Sequence, residues 1–138
     1  MDKKGIFIMN KTETKKYIRL MADSLGLKDW KIEVNFTDCD PNCIAQVGRV
    51  YGRKWGQIRI GEKFDKASEK DKKSAIIHEL LHLHQAPMYN FVETLGLNPE
   101  TMRTFDVITE YIVDGLSVGI ADNYNLKGGI TNGKAKRS

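Results

Sequence analysis

The stretch Ile76-Ile77-His78-Glu79-Leu80-Leu81-His82-Leu83-His84 decides how the rest of the chain is read. With His78 set at zero on a helix of about 3.6 residues per turn, Ile76, Ile77, Leu80, Leu81 and Leu83 fall between roughly 140° and 300°. They form one apolar stripe that faces a core. His78 and His82 lie about 40° apart and one turn above each other, beside that stripe. Two imidazoles so placed can share one metal ion, and neutral nitrogen ligands suit zinc. Glu79, about 100° from His78, stands at the ligand edge, where it can reach a water without binding the metal. This is the physical content of an H-E-x-x-H segment. His84 falls at about 240°, inside the apolar stripe, and reads as a buried, hydrogen-bonded histidine.

Around this helix the chain alternates between two periodicities. Upstream, Asn10-Lys11-Thr12-Glu13 has the form of a capping box, and Tyr17, Ile18, Leu20, Met21 and Leu25 recur at helical spacing up to Gly26. This predicts a helix over about 12–25. Trp30, Ile32, Val34 and Phe36 then alternate with polar residues, the pattern of a strand with one buried face. Residues 37–44, with Pro41, read as a loop, and 46–51 and 55–60 as two strands joined by a turn at Gly52-Arg53-Lys54. Residues 63–68 connect to the motif helix. Ser68-x-x-Asp71 opens that helix, which is expected to reach about Gln85 and to be ended by Pro87. A shorter helix follows over 89–95, stopped by Gly96. Asn98 with Pro99 starts a last helix reaching about Ala121, and a frayed tail is expected from Asn123. Helix, small sheet, then helices is an α+β order.

The third metal ligand must come from outside the motif. The last helix carries Glu110 and Asp114 four residues apart on one face. Phe105, Ile108, Ile112, Val113 and Leu116 cluster on another, read as its core face. Glu110 can complete a His2Glu site and Asp114 can accept the distal N–H of a ligand histidine. Glu93 and Asp106 compete for the ligand role.

The 138 residues suit one domain, here residues 1–126, followed by a basic tail over 127–138. With 41% hydrophobic and 29% charged residues, the chain falls among globular proteins and outside disordered or collagen-like classes. No apolar run is long enough to span a bilayer or to form a secretory signal, and the expected compartment is the cytoplasm. The formal net charge of +4 arises from Lys127, Lys134, Lys136 and Arg137, since basic and acidic residues balance over 1–126. The tail reads as a solvated end rather than a nucleic-acid footprint. Cys39 and Cys43 lack the second ligand pair of a structural zinc site and read as two free thiols ahead of a disulfide or a redox pair.

His78-Glu79-Leu80-Leu81-His82 followed by a helix bearing Glu110-x-x-x-Asp114 resembles the gluzincin metallopeptidases, over roughly residues 30–121. The small size is similar to the minimal, single-domain gluzincins and the short metallopeptidases of phages and bacteria. The resemblance implies a zincin-like α+β fold, with an N-terminal helix and a small, mostly antiparallel sheet packed on the H-E-x-x-H helix and on the glutamate-bearing helix. It implies Zn2+ held by His78, His82 and Glu110, Glu79 as general base, and Asp114 as partner of a histidine, His78 above all. Trp55-Gly56-Gln57-Ile58-Arg59-Ile60 is similar to the active-site sheet, one edge of which receives an extended peptide. Gluzincins carry Asn before the ligand Glu, where this chain has Thr109. Larger relatives bring a histidine to the oxyanion from a further domain. Tyr111, Tyr124, Tyr89 and Arg103 are the side chains that stand as substitutes here.

The expected activity is zinc-dependent hydrolysis of a peptide or protein substrate, with no membrane partner and no nucleic acid. The alternative is a zinc-stabilised regulatory or binding module, or a protease acting on a single regulator.

Overall fold

The computed structural model describes residues 10–37, 39–49, 52–125 and 129–130. The capping box forms as the sequence predicts. Asn10 Oδ1 accepts from the Glu13 N–H at 2.8 Å, and Glu13 Oε1 accepts from the Asn10 N–H at 3.2 Å. They start helix α1 (Lys11–Ser24), which ends where Gly26 takes a φ of 86°. Tyr17, Ile18, Met21 and Ala22 are its buried stripe. Arg19 fixes the exit of the helix, donating to the carbonyls of Leu27 at 2.9 Å and Trp30 at 2.8 Å.

Three strands follow, β1 (Lys31–Asn35), β2 (Ala45–Arg49) and β3 (Trp55–Ile60), in spatial order β1-β3-β2. β3 pairs antiparallel with β2 and parallel with β1. The sheet is therefore mixed, which corrects the expectation of a mostly antiparallel one. The reason lies in burial. β3 carries Ile58 and Ile60, both in the core, and takes the central place. The loop after β1 is long enough to carry the chain past one strand width to the far edge. Within that loop Cys39 and Cys43 are joined as a disulfide, with Cα atoms 6.5 Å apart, and are not the free thiols expected. Gly61 lies against it, since a Cβ there would clash with the Cys43 carbonyl oxygen.

A short helix α2 (Glu62–Lys66), which the sequence pattern does not reveal, is anchored by buried Phe64. Ser68 then caps α3 (Glu69–Glu93), accepting from the Asp71 N–H at 3.1 Å. α3 runs continuously through Pro87, so there is no break and no separate helix over 89–95. Pro87 sits on the exposed side, where the bond lost to its missing N–H is the one to the Leu83 carbonyl, and two residues further on Tyr89 holds α3 to Phe105 and Asp106. Ile76, Ile77, Leu80 and Leu83 are fully buried, as their spacing predicts. They meet β3 closely, for a Cβ at Gly56 would lie 2.8 Å from Leu83 Cδ2.

Asn98 and Pro99 open α4 (Pro99–Ala121), whose expected orientation is corrected. Its inward residues are Thr109, Val113, Ser117 and Ala121, while Ile108, Ile112 and Leu116 are about half exposed and Tyr111 is 80% exposed. Turning Glu110 and Asp114 towards α3 fixes the rotation, and the small inward residues let the two helices approach. The apolar stripe is left on the outer face. After α4, β4 (Tyr124–Asn125) pairs antiparallel with β5 (Gly129–Ile130), where a frayed tail was expected. The rest of that tail, residues 126–128 and 131–138, lies outside the described residues. The architecture is α+β, and no described helix is long and apolar enough to cross a membrane.

Candidate metal centre

The middle of α3 and the middle of α4 bring together the side chains that the sequence singles out. His78 and His82 point their Nε2 atoms at each other at 3.1 Å. Glu110 closes the triangle, with Oε2 3.1 Å from His78 Nε2 and Oε1 2.9 Å from His82 Nε2. Ligand atoms about 2.0–2.2 Å from one tetrahedral ion stand roughly 3.3 Å from each other, so this triangle is close to the size one ion requires. Among the described residues, these three form the group of potential ligands that converges, within 4.8 Å. The competitors do not join it. Asp106 instead accepts from the Tyr89 hydroxyl at 2.7 Å.

The donor chemistry fits a metal as well as the spacing does. Asp114 Oδ1 lies 3.0 Å from His78 Nδ1, so that nitrogen carries the proton and Nε2 keeps its lone pair for a cation. Burial lowers the pKa of His82. Glu110 opposes this, and the neighbouring His78 and Arg49 add to it, so the ring stays neutral to lower pH.

Glu79 stands beside the triangle, its Oε2 3.8 Å from His78 Nε2. Burial pushes its carboxyl up to about 8, and the negative charges of Glu110 and Asp114 add to the rise. The backbone N–H of Val47 and the charge of Arg59 pull the other way. The bond from Val47 ties Glu79 to β2. Because Ile44 pairs with Gly61 on the β3 side, ladder alternation turns the backbone groups of Ala45, Val47 and Arg49 to the free edge.

That edge runs past two hollows that share Glu79. One, of about 430 Å³, takes in His82, Glu110, Tyr89, Arg49 and Arg59. The other, of about 470 Å³, takes in His78, Asp114, Ala45 and Asn42. The triangle thus lies midway along a groove open on both sides, with an edge strand as one wall. Among the side chains considered for an oxyanion, Tyr89 lines this groove, whereas Tyr111 faces solvent and Arg103 is exposed outside it. The side chain of Tyr124 lies outside the described residues. Thr109 is buried on the α4 face towards α3, lines the first hollow and donates to the Phe105 carbonyl.

His84 does not belong to the site. It hydrogen-bonds the Leu25 carbonyl as expected of a bonded histidine, but it is exposed rather than buried. The arginines at 49 and 59 were not apparent from the sequence. The available signal was their place in the two strands just before the motif helix, where like-facing Gln46 and Arg59 are cross-strand partners.

Comparison of the chain with protein-family models, with curated proteins and with solved structures found no match.

Proposed function

We propose that this chain is a zinc-dependent endopeptidase of the gluzincin type, with a zincin-like fold. The observation that carries the reading is the triangle of His78, His82 and Glu110, with Glu79 beside it in a groove open at both ends. A zinc ion held there supplies a Lewis acid that polarises a carbonyl and acidifies water.

The chain's own groups supply the rest. The free edge of β2 offers backbone donors and acceptors at Ala45 and Arg49 to an extended peptide, laying it across the triangle. Glu79, fixed by the Val47 N–H and favoured as carboxylate once a cation is near, removes a proton from the attacking water. The new C–O bond forms at the scissile carbonyl carbon. Glu79 returns the proton to the amide nitrogen as the C–N bond breaks, and the second proton of the water passes from the new carboxyl group to the amine, leaving a carboxylate and an ammonium group. Asp114 holds the His78 ring in the tautomer that leaves Nε2 free. Tyr89 lines the groove, and its hydroxyl would have to leave Asp106 before it could donate to the developing oxyanion.

The test is cleavage of a peptide library by the zinc-loaded chain beside Glu79→Gln. The expected result is cleavage by the wild type, with the variant retaining zinc and losing turnover. Cleavage undiminished in Glu79→Gln would remove Glu79 from the mechanism. A second reading, a zinc-stabilised regulatory or binding module, is favoured by the exposed apolar face of α4. It is preferred if zinc binds and no peptide is cut.

A further inference from the structure

The hollow on the His82 side of the groove contains more polar chemistry than hydrolysis requires. Arg49 Nε, Arg59 Nε and Gln85 Oε1 are enclosed and without a hydrogen-bond partner, and all three residues line this hollow. Neither arginine has a carboxylate within 4.0 Å among the described residues. The one acid of this hollow outside the metal centre, Asp106, is engaged by Tyr89. Leaving enclosed donors and an acceptor unsatisfied is costly unless water or a ligand supplies the missing partners.

Both arginines are held in place. Arg49 is stacked over the Tyr89 ring at 4.6 Å, and Tyr89 is in turn fixed by Asp106. Arg59 comes from the central strand and lies over Gly48 of the edge strand, where a Cβ would meet its Nη2 at 3.6 Å. A residue larger than alanine at position 48 would displace the guanidinium. Two planar, pre-positioned guanidinium groups match a carboxylate in bidentate geometry, and Gln85 Oε1 matches a neighbouring peptide N–H.

We propose that this hollow is a substrate subsite for a carboxylate, so that the chain selects peptides with an acidic group on the Arg49–Arg59 side of the scissile bond. The proposal rests on the endopeptidase reading and names its substrate class. The carboxylate has two possible sources, an Asp or Glu side chain within the peptide or the free carboxyl end of a short one. The second hollow, beyond Glu79, leaves room for chain on the other side of the triangle in either case.

The experiment uses the full, zinc-loaded chain and internally quenched peptides that differ only by Glu or Gln at each position in turn. One set has blocked ends and a second has a free C-terminal carboxylate. The expected result is a preference of about 10-fold or more in kcat/KM for Glu at one position, or for the free carboxylate. Arg59→Gln, Arg49→Gln and Gly48→Val are expected to bring that preference close to unity while zinc content and thermal midpoint stay as in the wild type. Equal cleavage of Glu and Gln peptides and of both end types would overturn the subsite, as would a preference that survives all three variants. If no peptide is cut, the endopeptidase reading fails on its own. The subsite is then decided by fluorescence anisotropy of the same labelled peptides on the zinc-loaded wild type. Tighter binding of the acidic peptides, lost in the variants, supports it, and equal binding overturns it.

Discussion

Removing Asp114 tests whether α4 orients the metal ligands as well as supplying one. In Asp114→Ala, His78 Nδ1 loses the acceptor that stands 3.0 Å away, and the ring is free to rotate and to change tautomer. Loss of such an outer partner costs about 10- to 100-fold in metal affinity, or roughly 1.4–2.7 kcal/mol. The Asp114 side chain is 68% exposed, so water competes for the bond and the lower end, about 10-fold, is expected. Asp114→Asn keeps an acceptor without the charge and is expected to fall between the wild type and alanine. The assay is competition for zinc against a chromophoric chelator at fixed pH and salt, with thermal melting of the metal-free forms alongside. Because Asp114 lies on the surface, those metal-free melting points are expected to agree. An affinity change below about 2-fold would refute the orienting role. A loss as large as that of Glu110→Ala would instead make Asp114 a direct ligand.

Two further outcomes follow from packing and from charge. Gly61→Ala places a Cβ against the Cys43 backbone, which cannot move aside as a side chain would. Denaturant melts are expected to show a loss of about 1–3 kcal/mol, and unchanged stability would mean that the disulfide loop is not seated on Gly61. The Tyr89 phenol, raised to about 12 chiefly by its hydrogen bond to Asp106, stays protonated in the folded chain when an unfolded tyrosine would already ionise near 10. Its contribution to stability is therefore complete below pH about 10 and lost as pH rises towards 12. The difference in tyrosinate absorbance between wild type and Tyr89→Phe should show one phenol ionising near 12, and ionisation near 10 would contradict the contact.

What was legible in the sequence was what depends on neighbours along the chain. The Asn10 cap, the buried Ile76, Ile77, Leu80 and Leu83, and the shared face of His78 and His82 all follow from spacing within one or two helical turns. So does the pairing of Glu110 with Asp114 on one side of α4, which the structure turns towards the two histidines. The rotation of α4 was not legible, because apolar residues lie on more than one of its faces. The hydrophobic pattern alone selects Ile108, Ile112 and Leu116 together with Val113, of which only Val113 is buried, whereas the polar ligands and the small residues Thr109 and Ser117 decide which face is inward. The central place of β3 depends on which strand supplies the core, a long-range matter that alternation does not encode. Pro87 shows the same limit from the other side, since a local breaker is overridden by contacts from α3 to α4. The arginine hollow was missed because residues 49 and 59 fit ordinary strand patterns, and only folding brings them to the groove.

The account stands on one metal ion shared by α3 and α4. The most direct measurement is the zinc content of the purified, zinc-reconstituted wild type beside Glu110→Ala, by mass spectrometry under non-denaturing conditions. The account expects about one zinc per wild-type chain and a clear loss in the variant, since the ion would then keep only the two histidines of the triangle. Equal zinc in both forms, or none in either, would contradict it.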